Sequence, residues 1–224
     1  MHEKKHPMRY GDGLGRLLIY LVKNQIEEQD VCLEIILIDA GSSEYSGTIA
    51  EKYAVLNKRV SVIRSENSGM STIKNKGISI AQGEYILFAD CNNRITENSL
   101  CELYRLAKRK HADVVMGLVK LSNPDDGKPS NLISKELFNK QITGKNGFCK
   151  FVESGIFSAK VSNYMFRRDY LEKIQIRFDE NIIFEDELWT PLVSLKIFFT
   201  GITHRSSSDM FSVIMSAIPC MFGR

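Results

Sequence analysis

The 224-residue sequence has no apolar run approaching the ~18 residues that a membrane span needs. It opens on charged residues, Met1-His2-Glu3-Lys4-Lys5-His6, without the apolar region of a signal peptide. It has little charge imbalance. Thirty Lys and Arg against 27 Asp and Glu leave a net +3, too small to argue for a nucleic-acid partner. The cationic clusters at Lys108-Arg109-Lys110 and near Lys4 read as a solvated helix end and a terminus. Five scattered cysteines, Cys32, Cys91, Cys101, Cys149 and Cys220, lack the paired spacing of a metal site. They read as reduced thiols of a cytoplasmic protein. The four histidines stand apart, so none is assigned to catalysis. There is no internal repeat and no low-complexity segment.

What is present is the material of an ordinary core, with 43% hydrophobic and 25% charged residues. Apolar strands alternate with helical stretches through the first half. Leu14 to Gln25 carries leucines at helical spacing. Leu33 to Asp39 is a near-continuous apolar run, the mark of a strand buried on both faces. Helix is expected over 48–56, 71–81 and 99–110, and strand over 60–63, 84–90 and 113–117. Gly83 stops the second of these helices, and Thr96 is a plausible N-cap for the third. This alternation predicts an α/β domain with a largely parallel sheet. Beyond the turn at Pro124-Asp125-Asp126-Gly127, helices are expected around 134–139, 150–154 and 184–196. Glu185-Asp186-Glu187 fall in the first turn of the last one, where the helix dipole favours acids.

The most informative stretch is Gly83 to Asn93. Tyr85-Ile86-Leu87-Phe88 reads as a buried strand that ends at Asp90-Cys91-Asn92-Asn93. Oxygen-bearing side chains at the carboxyl end of such a strand stand where open α/β sheets bind ligands. They suit a divalent cation holding a phosphate-bearing substrate. Read alone, the segment is equally a strand followed by an Asn-rich turn.

Four segments in order resemble the family 2 glycosyltransferases of GT-A fold that build bacterial surface polysaccharides. They are Glu34 to Ser42, Glu66 to Gly77, Gly83 to Asn93 and Phe178 to Glu187. The resemblance implies a GT-A-like, doubly wound, mostly parallel sheet flanked by helices. It implies an inverting transfer of sugar from a nucleoside diphosphate to a saccharide or lipid-linked acceptor. It places Asp186 as general base, and Asp39, Lys74, Asp90 and Glu185 as substrate contacts. Asp39 would lie near the nucleoside and Lys74 near the diphosphate. Asp90 and Asn92 would hold Mn²⁺ or Mg²⁺, weakly, because Asn92 brings no charge where the family has a second Asp. Glu185 and Glu187 are expected to point to other faces of their turn than Asp186. The resemblance also leaves room for peripheral contact with the inner membrane.

A single domain is expected over 1–202, with a nucleotide-sugar half at 7–120 and an acceptor and base half at 121–202. Residues 203–224 read as an atypical tail, expected to pack loosely. The family opens on a buried apolar strand, and Met1 to His6 is not one. Both ends resemble those of a truncated or frame-shifted gene. The alternative reading is an inactive remnant that binds nucleotide sugar weakly. A nucleotidyltransferase is disfavoured, because no Gly-rich activation loop with a Lys stands near the first strand.

Overall fold

The computed structural model describes residues 32–40, 44–65, 68–90, 99–117, 144–155, 157–197 and 210–217. Among the described residues the strands are β1 (Cys32–Asp39), β2 (Val60–Arg64), β3 (Tyr85–Asp90), β4 (Val114–Met116), β5 (Tyr164–Arg167) and β6 (Met210–Ala217). The α-helices described are α1 (Glu44–Leu56), α2 (Met70–Ile80), α3 (Ser99–Lys110), α4 (Gly144–Glu153), α5 (Arg168–Ile174) and α6 (Glu185–Ile197). The strands form one sheet in the order β2-β1-β6-β3-β5-β4. β2, β1, β6 and β3 run parallel, while β5 is antiparallel to both β3 and β4.

The period of two along each strand sorts the core into two layers. Leu33, Ile35 and Leu37 of β1 and Tyr85, Leu87 and Ala89 of β3 pack with Ala50 of α1 and Leu100, Tyr104 and Ala107 of α3. The alternate residues, Ile36, Ile38, Ile86 and Phe88, pack with Ile73 of α2, Leu171 of α5 and Trp189 and Val193 of α6. Helices therefore cover both faces, and Ile35 to Ile38 are apolar without a break because neither face meets water there. The sequence expectation of a doubly wound, mostly parallel α/β sheet holds. β5 and α5 have no counterpart in it. Leu14–Gln25, Thr96 and the 134–139 helix lie outside the described residues.

The expectation of a loosely packed tail over 203–224 is corrected for 210–217, and 203–209 and 218–224 lie outside the described residues. Residues 210–217 form the central strand, in register with β1 from Cys32↔Met210 to Asp39↔Ala217 and with β3 from Tyr85↔Phe211 to Asp90↔Ser216. The physical reason is that β1 and β3, each apolar on both faces, need a hydrogen-bonded neighbour on both edges.

Candidate active site

Two acids end parallel strands that flank β6. Asp39 closes β1 opposite Ala217 and Asp90 closes β3 opposite Ser216, one register step apart on either side of β6. One intervening strand puts their backbones about 10 Å apart. The alternate-face rule turns Asp39 toward α1, and a Cβ on Gly47 would stand 3.4 Å from Asp39 Oδ2. That carboxylate therefore lies against the first turn of α1, where the helix dipole favours an anion. Asn92 lies outside the described residues. Among the described residues, no three His, Cys, Asp or Glu side chains gather as a metal cluster.

The other candidate residues converge on the opposite face. Lys74 sits in the second turn of α2, which begins beyond the carboxyl end of β2. It is 4% exposed. Its Nζ donates to Glu185 Oε1 at 2.7 Å and to Asp186 Oδ1 at 2.5 Å. The backbone N–H of Val161 donates to Asp186 Oδ2 at 3.1 Å. Both Asp186 oxygens are thus held, and the carboxylate stays 24% exposed. Burial raises the Asp186 pKa above the ordinary carboxylate range. Lys74 and the Val161 N–H pull it down, and the Glu185 charge pushes it up again. Desolvation, more than the helix dipole, therefore sets its proton affinity. The expectation that Glu185 turns away from Asp186 is corrected, because one ammonium draws both carboxylates to it. Lys74 is committed to these acids in the described structure, and this is where its charge is spent.

The loop that carries α6 is clamped to α2. Asn75 Nδ2 donates to the Phe178 carbonyl at 2.9 Å, and the Phe178 N–H donates to Asn75 Oδ1 at 2.8 Å. Ser71 Oγ donates to the Asp179 carbonyl at 2.7 Å. Trp189 stacks on Phe178 with ring centroids 4.2 Å apart and meets Phe88 and Phe166 edge-on. Rings packed this way have few alternative rotamers, so the first turn of α6 is fixed against the sheet. Phe184, one residue before the helix, takes the left-handed φ of 63°. For a bulky residue that conformation costs on the order of 1–3 kcal/mol, and such strain gathers at functional sites. Sequence reasoning missed Ser71, Asn75 and Val161. The signal for the first two was their spacing, since Ser71, Lys74 and Asn75 stand at i, i+3 and i+4 on one helical face. A backbone donor such as that of Val161 leaves no mark in sequence.

The arrangement can do one thing well. It offers a partly open carboxylate of raised proton affinity, rigidly aimed, on the side of the sheet where strands end in acids. Comparison with known proteins gives this geometry a context. The model of Glycosyl transferase family 2 matches residues 18–175. Glycosyltransferase GlyG of Streptococcus pneumoniae is 37% identical over 114 residues, covering 50% of this chain and 38% of that protein. Uncharacterized glycosyltransferase EpsJ of Bacillus subtilis is 30% identical over 69% of this chain and 45% of its own length. The chain thus spans about half the length, or less, of such curated relatives. Among solved structures, S. aureus TarS 1-349 superposes with a TM-score of 0.56 at 20% identity, covering 83% of this chain and 52% of that one. Mannosyltransferase PcManGT from Pyrobaculum calidifontis, in complex with GDP-Man and Mn²⁺, gives 0.56 at 12% identity, covering 96% and 56%. At these identities the two structures speak to the fold alone, which is GT-A.

Proposed function

The chain belongs to glycosyl transferase family 2, and from that premise we propose that it moves a sugar from a nucleoside-diphosphate donor to a saccharide or lipid-linked acceptor in cell-surface polysaccharide synthesis. The observation that carries the reading is Asp186, held through both oxygens yet open to solvent. The acceptor hydroxyl attacks the anomeric carbon and passes its proton to the Asp186 carboxylate. The bond from that carbon to the diphosphate breaks, and its electron pair leaves with the diphosphate. One displacement inverts the anomeric centre. Lys74 acts through Asp186 and Glu185, keeping both carboxylates in place.

Asp39 and Asp90 are the donor contacts of this reading, and Glu185 stands beside the base. The donor half at 7–120 and the base half at 121–202 then meet through Lys74, Ser71 and Asn75. Asp90 and Asn92 carry the hard oxygens that would hold a divalent cation, which would neutralise charge on the diphosphate. Support comes from relatives and neighbours. PcManGT is seen with GDP-Man and Mn²⁺, and TarP of Staphylococcus aureus, 25% identical over 80% of this chain, is named a poly(ribitol-phosphate) beta-N-acetylglucosaminyltransferase.

The test is calorimetric titration with nucleoside diphosphates, with and without Mn²⁺. Binding that strengthens with Mn²⁺, and strengthens again in Asn92→Asp, is the expected result. No binding under either condition, with every nucleoside tried, would support the remnant reading instead.

A further inference from the structure

β1 and β3 are built as interior strands. Ile35, Ile36, Leu37 and Ile38 are each 2% exposed or less, and Tyr85 to Ala89 are buried without a break. Each has a partner on its outer edge, β2 for β1 and β5 for β3. Their inner edges face each other across a slot one strand wide, because β6 alone stands between them. An open inner edge would leave a row of backbone N–H and C=O groups without bonds inside the core.

The filler of this slot must be parallel to both walls, six to eight residues long, and free of charge and proline. Met210-Phe211-Ser212-Val213-Ile214-Met215-Ser216-Ala217 meets each condition. In the sequence Pro219 follows two residues later, and its missing N–H ends a ladder.

We propose that residues 210–217 are the keystone of the sheet, supplied by the chain to itself, and that their insertion is what completes the ligand-binding end. Without β6 the sheet divides into β2-β1 and β3-β5-β4. With it, Asp39 lies opposite Ala217 and Asp90 opposite Ser216, so the strand sets the spacing of the two acids and their offset of one residue in register. The central strand is thus the last described one in chain order. The halves of the sheet cannot close until the chain has reached residue 217. The role of the two acids as donor contacts rests on the function proposed above, whereas the role of the strand does not.

The test is amide hydrogen exchange of the full chain, read by mass spectrometry at two protein concentrations, without ligand. Residues 210–217 should exchange within about tenfold of residues 33–38 and 85–89 at both concentrations, since strands of one cooperative unit open together. Exchange of 210–217 faster by about a thousandfold than its neighbours would overturn the proposal. So would protection that grows with concentration, because a second copy would then supply the strand.

A cross-link reads the same contact by an independent readout. Leu37 and Met215 are register partners, and parallel neighbours stand about 4.8 Å apart, within disulfide reach. Leu37→Cys with Met215→Cys, in a Cys149→Ser background, should oxidise to a monomer whose peptide map joins the two positions. A cross-linked dimer, or two thiols that stay free under oxidation, would overturn the proposal. Neither readout depends on sugar transfer, so the strand and the enzymatic reading fail separately.

Discussion

Glu84, just before β3, accepts from Lys108 at 2.9 Å and from the Tyr104 hydroxyl at 3.3 Å. Asp113, just before β4, pairs with Arg167 at the end of antiparallel β5. At this amino end of the sheet each acid meets its own cation, and each acid side chain is 5% exposed. Beyond the carboxyl ends the balance differs. One ammonium, that of Lys74, serves two carboxylates, and Asp186 keeps a quarter of its surface open. The amino-end acids are buried and electrically matched, so their pairs can only hold. The carboxyl-end cluster carries an excess negative charge and an opening, so it can receive a proton. An ion pair in a core is weak evidence of chemistry, whereas an unbalanced one with an open member has somewhere to put a substrate.

The sharpest way to break the contrast is to neutralise one acid at each end and measure unfolding by denaturant at pH 7. Asp113→Asn takes away the counter-charge of Arg167, and breaking such a buried pair costs about 3–5 kcal/mol. Asp186→Asn should cost far less or even stabilise, because Glu185 still meets Lys74. Burial raises the pKa of Asp186 and of Asp113 alike, so the difference rests on the counter-charge: Lys74 keeps Glu185, whereas Arg167 loses the carboxylate it is paired with. A carboxyl whose folded pKa lies above its unfolded value contributes stability at low pH and loses it as pH rises through the folded pKa. At neutral pH ionisation of either acid therefore weighs against the fold, and at Asp186 the amide lifts that burden while Glu185 stays on Lys74. Equal losses at the two ends would erase the distinction.

A second variant tests the clamp rather than the charge. Asn75→Ala removes both bonds to Phe178 and leaves a buried carbonyl and N–H unpaired. The expected loss is about 1–3 kcal/mol. Turnover of the folded fraction should fall too, because the loop sets the aim of α6. A stability loss with turnover intact would make Asn75 a packing residue only.

The smallest effect is a displacement of the pH profile. Transfer needs the ionised Asp186, so kcat/KM should fall as pH drops through a pKa above the ordinary carboxylate range. Lys74→Met removes the nearest charge that lowers it, so the acid limb should move further up. A limb that stays in place would detach Lys74 from the base.

The parts of this architecture that sequence carried are those written locally. β1 and β3 are continuous apolar runs, and the acids at their ends stand out because the polarity changes within one residue. The acidic first turn of α6 is likewise local. β5 escaped because Tyr164-Met165-Phe166-Arg167 passes straight into α5, with no turn residue to punctuate it. β6 escaped for another reason. Ser212 and Ser216 interrupt its apolar pattern, and nothing local says that a strand near residue 213 belongs beside one near residue 35. The site was half legible in the same sense. Asp186 and Lys74 could be named, but their contact joins residues 112 positions apart. What Lys74 touches is a property of the packed sheet and not of its own helix.

The measurement that bears most directly on the account is sugar transfer by Asp186→Asn beside its affinity for nucleoside diphosphate. General-base assistance is worth about 10²–10⁴ in rate. Turnover should fall by that factor while nucleotide affinity stays within about twofold, since a group that acts only on the transferred proton adds little to ground-state binding. Full turnover in the variant would contradict the account and remove Asp186 from the mechanism.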